Sequence, residues 1–135
     1  MGKIIITGLV AGAVLLLISV IGLYTITLIF PEATLQYVDS AFDTESHKRI
    51  VYYLHPFVIS LALSWFWVRF RSVLRGTFFT RGIEFGLIYS LVATFPMMWL
   101  IYSALNISLA MVVTWFILAL IQGIIAGLVL EKMNP

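Results

Sequence analysis

Ionisable side chains inside apolar segments are the positions of this chain that bear most directly on chemistry. Glu84 is the one acid inside a predicted membrane span, and His55 is the one histidine inside such a span. A carboxylate or an imidazole within a membrane is costly and often belongs to an ion, proton or ligand pathway. Glu84 also lies near the predicted start of its helix, where the helix dipole and Arg81 three residues earlier could stabilise it without any function. The sequence leaves both interpretations open.

Further polar residues are predicted at depths close to these two. Gln122 and Ser64 fall at a depth similar to that of Glu84 when residues are counted from the same ends of the spans, and Thr94 lies farther along the span of Glu84. If all face one interior, they form a candidate ion-, proton- or ligand-binding set, namely Glu84, Gln122, His55, Ser64 and Thr94. Hydrogen bonds between helices, worth about 1 kcal/mol each, are the alternative use of the same groups.

The chain has few side chains that could bind a metal ion or a cofactor. Cysteine is absent, which excludes disulfides, thiolate metal sites and cysteine nucleophiles. His47 and His55 would lie about 12 Å apart along one helix, too far to chelate a single metal ion. We therefore expect no metal site and no cofactor.

The elements that must position these side chains are four long apolar segments. Hydrophobic residues make up 62% of the 135-residue chain and charged residues 10%, too few for the surface of a soluble domain, which carries about 25% charge. Segments long enough to cross a bilayer occur at about 4–30, 50–70, 81–103 and 107–130. The sequence thus predicts one all-α membrane domain over 1–135, folded as a four-transmembrane-helix bundle.

Basic residues near the ends of the spans predict the orientation of this bundle. One side carries Lys3, Arg69, Arg71, Arg75, Arg81 and Lys132, whereas the other carries Lys48 and Arg49. Because cytoplasmic loops are enriched in Lys and Arg, we expect both termini and the loop 69–81 to be cytoplasmic and the polar loop 31–49 to be external. The segments Arg81–Gly86 and Gln122–Gly123 resemble small bacterial membrane proteins, so we expect a multi-pass protein of the bacterial inner membrane.

The arginine-rich loop is a candidate contact for anionic lipid headgroups. Each basic side chain beside an anionic leaflet contributes about 1 kcal/mol. The set consists of Arg69, Arg71, Arg75 and Arg81, although orientation alone would also produce it. The sequence contains no basic surface interleaved with aromatic residues that could bind along a nucleic-acid backbone. We therefore expect membrane lipids as partners and not nucleic acid.

Prolines and small residues predict how the spans bend and pack. Pro56 and Pro96 lie inside spans, where each removes a backbone hydrogen bond and favours a hinge. For the second span we favour one long helix that starts near His47 and bends at Pro56. Small residues let helix backbones approach closely, and they form faces at Gly8 and Gly12 on the first span and at Ala119, Gly123 and Gly127 on the fourth. We expect these two faces to bring the first and fourth helices together.

Three classes of function are open at this point. The favoured class is a non-enzymatic accessory, assembly or self-associating subunit of a homo-oligomer or larger membrane complex, with its polar residues satisfied by neighbouring helices and no continuous cavity. The second is a small oligomeric channel or transporter that uses Glu84, Gln122 and His55. The third is a membrane-embedded enzyme acting on a lipid-like substrate. The sequence offers no paired carboxylates and no nucleophile–base pair, which makes an enzyme the less favoured class.

Overall fold

The computed structural model describes residues 1–31 and 46–134, without the side chains of residues 46–49. All regular structure in these residues is helical, and the long helices are α1 (Gly2–Ile29), α2 (Ser46–Phe70), α3 (Phe78–Ala104) and α4 (Leu109–Met133). Each of the four is long and apolar enough to cross a membrane, as the segments of apolar residues predicted. Most of the predicted polar loop 31–49 lies outside the described residues.

Helix α2 is one continuous helix that contains a proline. It begins at Ser46 and continues through Pro56 to Phe70, as expected for the longer of the two helices considered for this span. Proline has no N–H to donate, so the carbonyl of Tyr52, four residues back, loses its usual helical partner. The hinge role of Pro56 stays a prediction.

Helix α3 changes its winding halfway along. It is α-helical over Phe78–Tyr89 and Phe95–Ala104, and π-helical over Ser90–Thr94. The backbone N–H of Phe95 donates to the carbonyl of Ser90, five residues back, which is the hydrogen bond of a π-helix. Pro96 follows at once, and its ring cannot donate and clashes with the carbonyl four residues earlier. The wider turn is the local adaptation to Pro96, and it adds one residue to this part of α3.

Glycines decide which helices approach most closely. Gly82 and Gly86 of α3 lie against Gly123 and Gly127 of α4. A Cβ atom added at Gly127 would collide with the carbonyl oxygen of Gly82, and one added at Gly86 would collide with the backbone of Ile124. Backbone-to-backbone contact of this kind requires the absence of side chains on both helices.

The glycine face of α1 packs on α2. A Cβ atom at Gly8 would lie 2.7 Å from the side chain of Leu61, and one at Gly12 would lie 2.6 Å from the ring of Phe57. The small-residue faces of α1 and α4 therefore do not meet each other, which differs from our expectation. The reason is that α3 carries its own glycine pair at the spacing that matches Gly123 and Gly127, and α2 covers the pair on α1.

The buried core lies nearer to the end of the bundle that carries the arginines, which we call the arginine end. Here the Trp67 ring of α2 packs edge-on against Phe85 of α3, with ring centroids 5.0 Å apart, and Phe66 also contacts Phe85 at 6.0 Å. Leu15 of α1 and Leu130 of α4 complete this core. Farther from the arginine end, a cavity lies between α2 and α3.

Candidate ligand-binding cavity

A cavity of about 220 Å³ lies inside the bundle, lined by all four helices. Its walls are mainly aliphatic side chains and methionines, with four polar residues among them, namely His55, Tyr89, Thr94 and Gln122. An apolar wall with a few placed polar groups is typical of small-molecule sites. The other lining residues are Leu15, Ile59, Leu63, Ala93, Met97, Met98, Ala119 and Gly123.

The π-helical turn and the residues next to it form the α3 wall. Tyr89, Ala93 and Met97 follow one another at four-residue spacing along this wall, and Thr94 lines it too. Thr94 is buried, and its side chain interacts with that of Tyr89. The added residue of the turn rotates the second half of α3 relative to the first, and Ala93 and Thr94 of the turn both line the cavity. π-bulges are frequent at functional sites.

Gln122 is held in place by a hydrogen-bonded chain that joins α4 to α1. Its amide nitrogen donates to the Ser19 hydroxyl over 2.8 Å, and that hydroxyl donates to the carbonyl of Leu15 over 2.9 Å. The amide oxygen of Gln122 accepts no hydrogen bond from any described residue. The chain thus fixes the side chain at the wall of the cavity and leaves one acceptor for a ligand.

His55 occupies the edge of the cavity on α2. Its imidazole is exposed and makes no hydrogen bond to the described residues. Pro56, the next residue, is buried. An imidazole can both donate and accept a hydrogen bond, so His55 offers the cavity a second polar contact at its open side.

Two members of the predicted polar set lie elsewhere. Ser64 is buried to 1% exposure, and its hydroxyl donates to the carbonyl of Ile4 over 2.9 Å, which joins α2 to α1 near the arginine end. Glu84 is exposed on the outer face of α3, next to Phe85, which points into the core. The structure therefore brings His55, Thr94 and Gln122 together and leaves Glu84 and Ser64 apart. The five residues do not line one path through a single chain.

Among the described residues the buried acid is Glu131, which the sequence did not single out. Its Oε1 lies 2.8 Å from Nη1 of Arg81, and the two side chains are 6% and 20% exposed. Arg81 thus pairs with Glu131 of α4, and not with Glu84, the partner that one of the two interpretations of Glu84 gave it. The signal in the sequence is spacing, because Gly123, Gly127 and Glu131 recur every four residues on one face of α4. That face contacts the start of α3.

A polar network extends from this ion pair across the arginine end. The indole nitrogen of Trp67 donates to the carbonyl of Asn134 over 2.8 Å. Nη1 of Arg71 donates to the same carbonyl over 3.0 Å and to the Asn134 side chain over 3.2 Å. Nη2 of Arg81 donates to the carbonyl of Arg71 over 3.3 Å. The network ties the end of α4 to α2 and to the connection before α3.

These contacts divide the predicted lipid-binding arginines. Arg71 and Arg81 are engaged within the bundle. Arg69 and Arg75 are exposed, and the Arg69 guanidinium lies 4.2 Å from the ring centroid of Trp65 on the same helix. Contact with anionic headgroups stays a prediction for the whole set, with Arg69 and Arg75 the two members that have charge at the surface.

A second groove of about 340 Å³ lies between α1 and α4, away from the arginine end. The hydroxyls among its described lining residues, on Thr25 and Thr114, donate to carbonyls of their own helices, those of Ile21 and Met111. The rest of the described lining consists of aliphatic side chains, one phenyl ring and one glycine. This lining therefore has no uncommitted polar group that could hydrogen-bond a ligand. The central cavity differs from it in having polar groups available.

Among the side chains that the structure describes, in residues 1–31 and 50–134, no group of three or more His, Cys, Asp or Glu could hold a metal ion. Among known proteins, no family model, no curated sequence and no solved structure matches this chain.

Proposed function

We propose that this protein is a multi-pass membrane protein that binds a small, mainly apolar molecule in its central cavity. The observation that carries the proposal is the cavity of about 220 Å³ between the four helices, with His55, Thr94 and Gln122 on its wall. In this role the protein is a non-enzymatic binding subunit, the class favoured from the sequence, with the difference that its helices enclose a cavity whose polar groups suit holding and orienting a ligand.

The outer surface of the bundle supports insertion into a membrane. Large aliphatic side chains are exposed on every helix, as Leu17, Val58, Leu91 and Ile117 illustrate. In water this surface would be costly at about 25 cal/mol per Å², whereas hydrocarbon tails solvate it readily. The excess of Lys and Arg at the arginine end favours a cytoplasmic location for both termini and for the connection between α2 and α3. The membrane we propose is the bacterial inner membrane.

The cavity indicates the chemical class of the ligand. A cavity of about 150 Å³ accepts benzene, so one of this size accommodates a single ring with small substituents. The amide oxygen of Gln122 calls for a donor on the ligand, and His55 can meet a second polar atom. We therefore propose a phenol-like molecule with an apolar body and one hydroxyl group.

The ligand enters sideways, from the lipid. Ring contacts between α2 and α3 lie close to the arginine end, at Phe66, Trp67 and Phe85. The exposed His55 marks the open side of the cavity, farther from that end. The π-helical turn faces the same opening from α3, which makes it the segment that shapes the entrance.

The test uses 4-(trifluoromethyl)phenol and ¹⁹F NMR on the full chain in lipid nanodiscs, with empty nanodiscs as background. We expect a saturable shift for the wild type and its loss in Ala119→Phe, which fills the cavity. The matched control is Ile117→Phe, on the exposed face of the same helix. Gln122→Leu should weaken binding of the phenol and leave (trifluoromethyl)benzene unaffected. A wild type without a saturable component, or an Ala119→Phe variant that binds as well, would contradict the proposal.

A further inference from the structure

Glu84 is a charged group on an apolar surface and has no partner among the residues that the structure describes. The residue is exposed, and its carboxylate makes no hydrogen bond or ion pair with a described residue. Around it on the outer face of α3 lie Ile83, Leu87, Ile88 and Leu91, all exposed. The backbone of Glu84 lies about 9 Å along the helix from Phe78, which places it below the surface of the membrane proposed above.

Such a position is costly unless a cation meets the carboxylate. Charged residues within membrane spans are rare and nearly always face a bundle interior, a water-filled cavity or a partner. The arginine nearest in sequence, Arg81, is committed to Glu131 over 2.8 Å. The face around Glu84 is therefore complementary to a second molecule that brings a positive charge and an apolar surface.

The chain itself has such a cation at the matching end. Arg75 is exposed and makes no hydrogen bond or ion pair with a described residue. It lies in the connection that leads into α3, between the buried Leu74 and Gly76, whose φ of 114° sets a turn that other residues rarely adopt. The chain thus turns next to Arg75, just before the helix that carries Glu84.

We propose that two copies of the chain associate through the outer face of α3, with Glu84 of each copy paired to Arg75 of the other. In a two-fold dimer within a membrane the two α3 helices are parallel, so the same positions face each other at equal depth. Leu87 and Leu91 then supply the apolar contact. Arg75 reaches from the membrane surface toward Glu84, and two reciprocal ion pairs close the interface. The inference needs the membrane insertion proposed above and does not depend on the cavity ligand.

The absence of cysteine allows a direct test by disulfide cross-linking. Single variants Leu87→Cys and Leu91→Cys are oxidised in native membranes, with Val113→Cys on the exposed face of α4 as the matched control. A disulfide requires Cα atoms within about 7 Å, so only residues near the two-fold axis react. We expect dimers at position 87 or 91 and none at position 113. No dimer at either position would overturn the proposal.

Charge exchange then tests the ion pair in the same background. Glu84→Arg and Arg75→Glu should each slow cross-linking about tenfold, the effect of losing interhelical contacts of 1–2 kcal/mol. The double variant Glu84→Arg/Arg75→Glu should restore the rate. Glu84→Gln also removes the negative charge but brings no new charge into the membrane. This variant should therefore insert at least as easily as the wild type, and it serves as a second form of the single change.

Other results overturn the pairing. If both single variants cross-link at the wild-type rate, the ion pair between Glu84 and Arg75 is contradicted. If the double variant cross-links as slowly as the single variants, the partner of Glu84 is a lipid ammonium or a different protein. Membrane fractionation keeps the two proposals distinct. A wild-type chain in the soluble fraction would contradict membrane insertion, whereas a membrane-bound chain without cross-links contradicts the dimer alone.

Discussion

The amide nitrogen of Gln122 donates to the hydroxyl of Ser19 over 2.8 Å, and this bond links α4 to α1 at the wall of the cavity. Two polar side chains in apolar helices thereby satisfy each other and set the position of a third group, the free amide oxygen of Gln122. The same bond stabilises the bundle and prepares a contact for a ligand.

Ser19→Ala is expected to lower both stability and ligand affinity. Loss of an interhelical hydrogen bond costs about 1 kcal/mol, which unfolding in SDS measures. Gln122 is then free to rotate, so we expect weaker binding of 4-(trifluoromethyl)phenol in the nanodisc assay. Ser103→Ala is the control, because that hydroxyl is exposed and donates to its own helix at Leu100. Equal stability of Ser19→Ala and wild type would contradict the role of this bond.

Gly127→Ala is expected to push α3 and α4 apart. The new Cβ would collide with the carbonyl oxygen of Gly82, a backbone atom that cannot rotate away. Overpacking of this kind costs about 1–3 kcal/mol, again measured by unfolding in SDS. Gly2→Ala is the control, since nothing lies within 4 Å of its added Cβ. A Gly127→Ala variant as stable as the control would show that the helices can separate at little cost.

Glu131→Gln is expected to destabilise the arginine end strongly. The change leaves the largely buried Arg81 without its counter-ion, and breaking a buried pair costs about 3 kcal/mol or more. Replacing both partners, as in Arg81→Met/Glu131→Leu, should recover much of the loss because no buried charge remains. Lys132→Gln, at the neighbouring exposed position, should have little effect. Additive losses in the double variant would contradict a coupled pair.

Pro96→Ala is expected to change the shape of the cavity. The new N–H can donate within the helix, which removes the reason for the π-helical turn at Ser90–Thr94. A regular α-helix here would rotate Thr94 relative to Tyr89 and displace the cavity wall, so affinity for the phenol should fall. Pro56→Ala, in a helix that stays α-helical, is the comparison. Unchanged binding in Pro96→Ala would show that the turn has another cause.

Thiol labelling in oriented vesicles tests the proposed topology. A single Thr77→Cys variant lies in the connection between α2 and α3, and Leu105→Cys lies in the short connection between α3 and α4. With an impermeant maleimide, we expect labelling of position 77 only in inside-out vesicles and of position 105 only in right-side-out vesicles. The reverse pattern would invert the orientation expected from the arginines.

The order of apolar and polar segments in the sequence was sufficient to predict the four long helices. Length and composition are local properties, and a helix is the arrangement in which a single apolar segment such as Leu109–Met133 satisfies all its backbone hydrogen bonds internally in hydrocarbon. The continuous helix α2 was predictable in the same way, because a start at Pro56 would have left too short a segment before Arg69. Gly123 and Gly127 likewise marked a close helix contact before the partner was known.

Only the tertiary structure decided which residues meet. It placed Glu84 on the outer surface and Glu131 in the interior. The glycine pair of α4 packs against α3, and His55, Thr94 and Gln122 line one cavity. The physical reason is that the outer faces of these helices are as apolar as the inner ones, so hydrophobic periodicity does not reveal which face points inward. The π-helical turn adds a residue that no regular helical period contains. The rotation of each helix about its own axis is fixed only by the neighbouring helices. That rotation in turn decides which residues line the cavity.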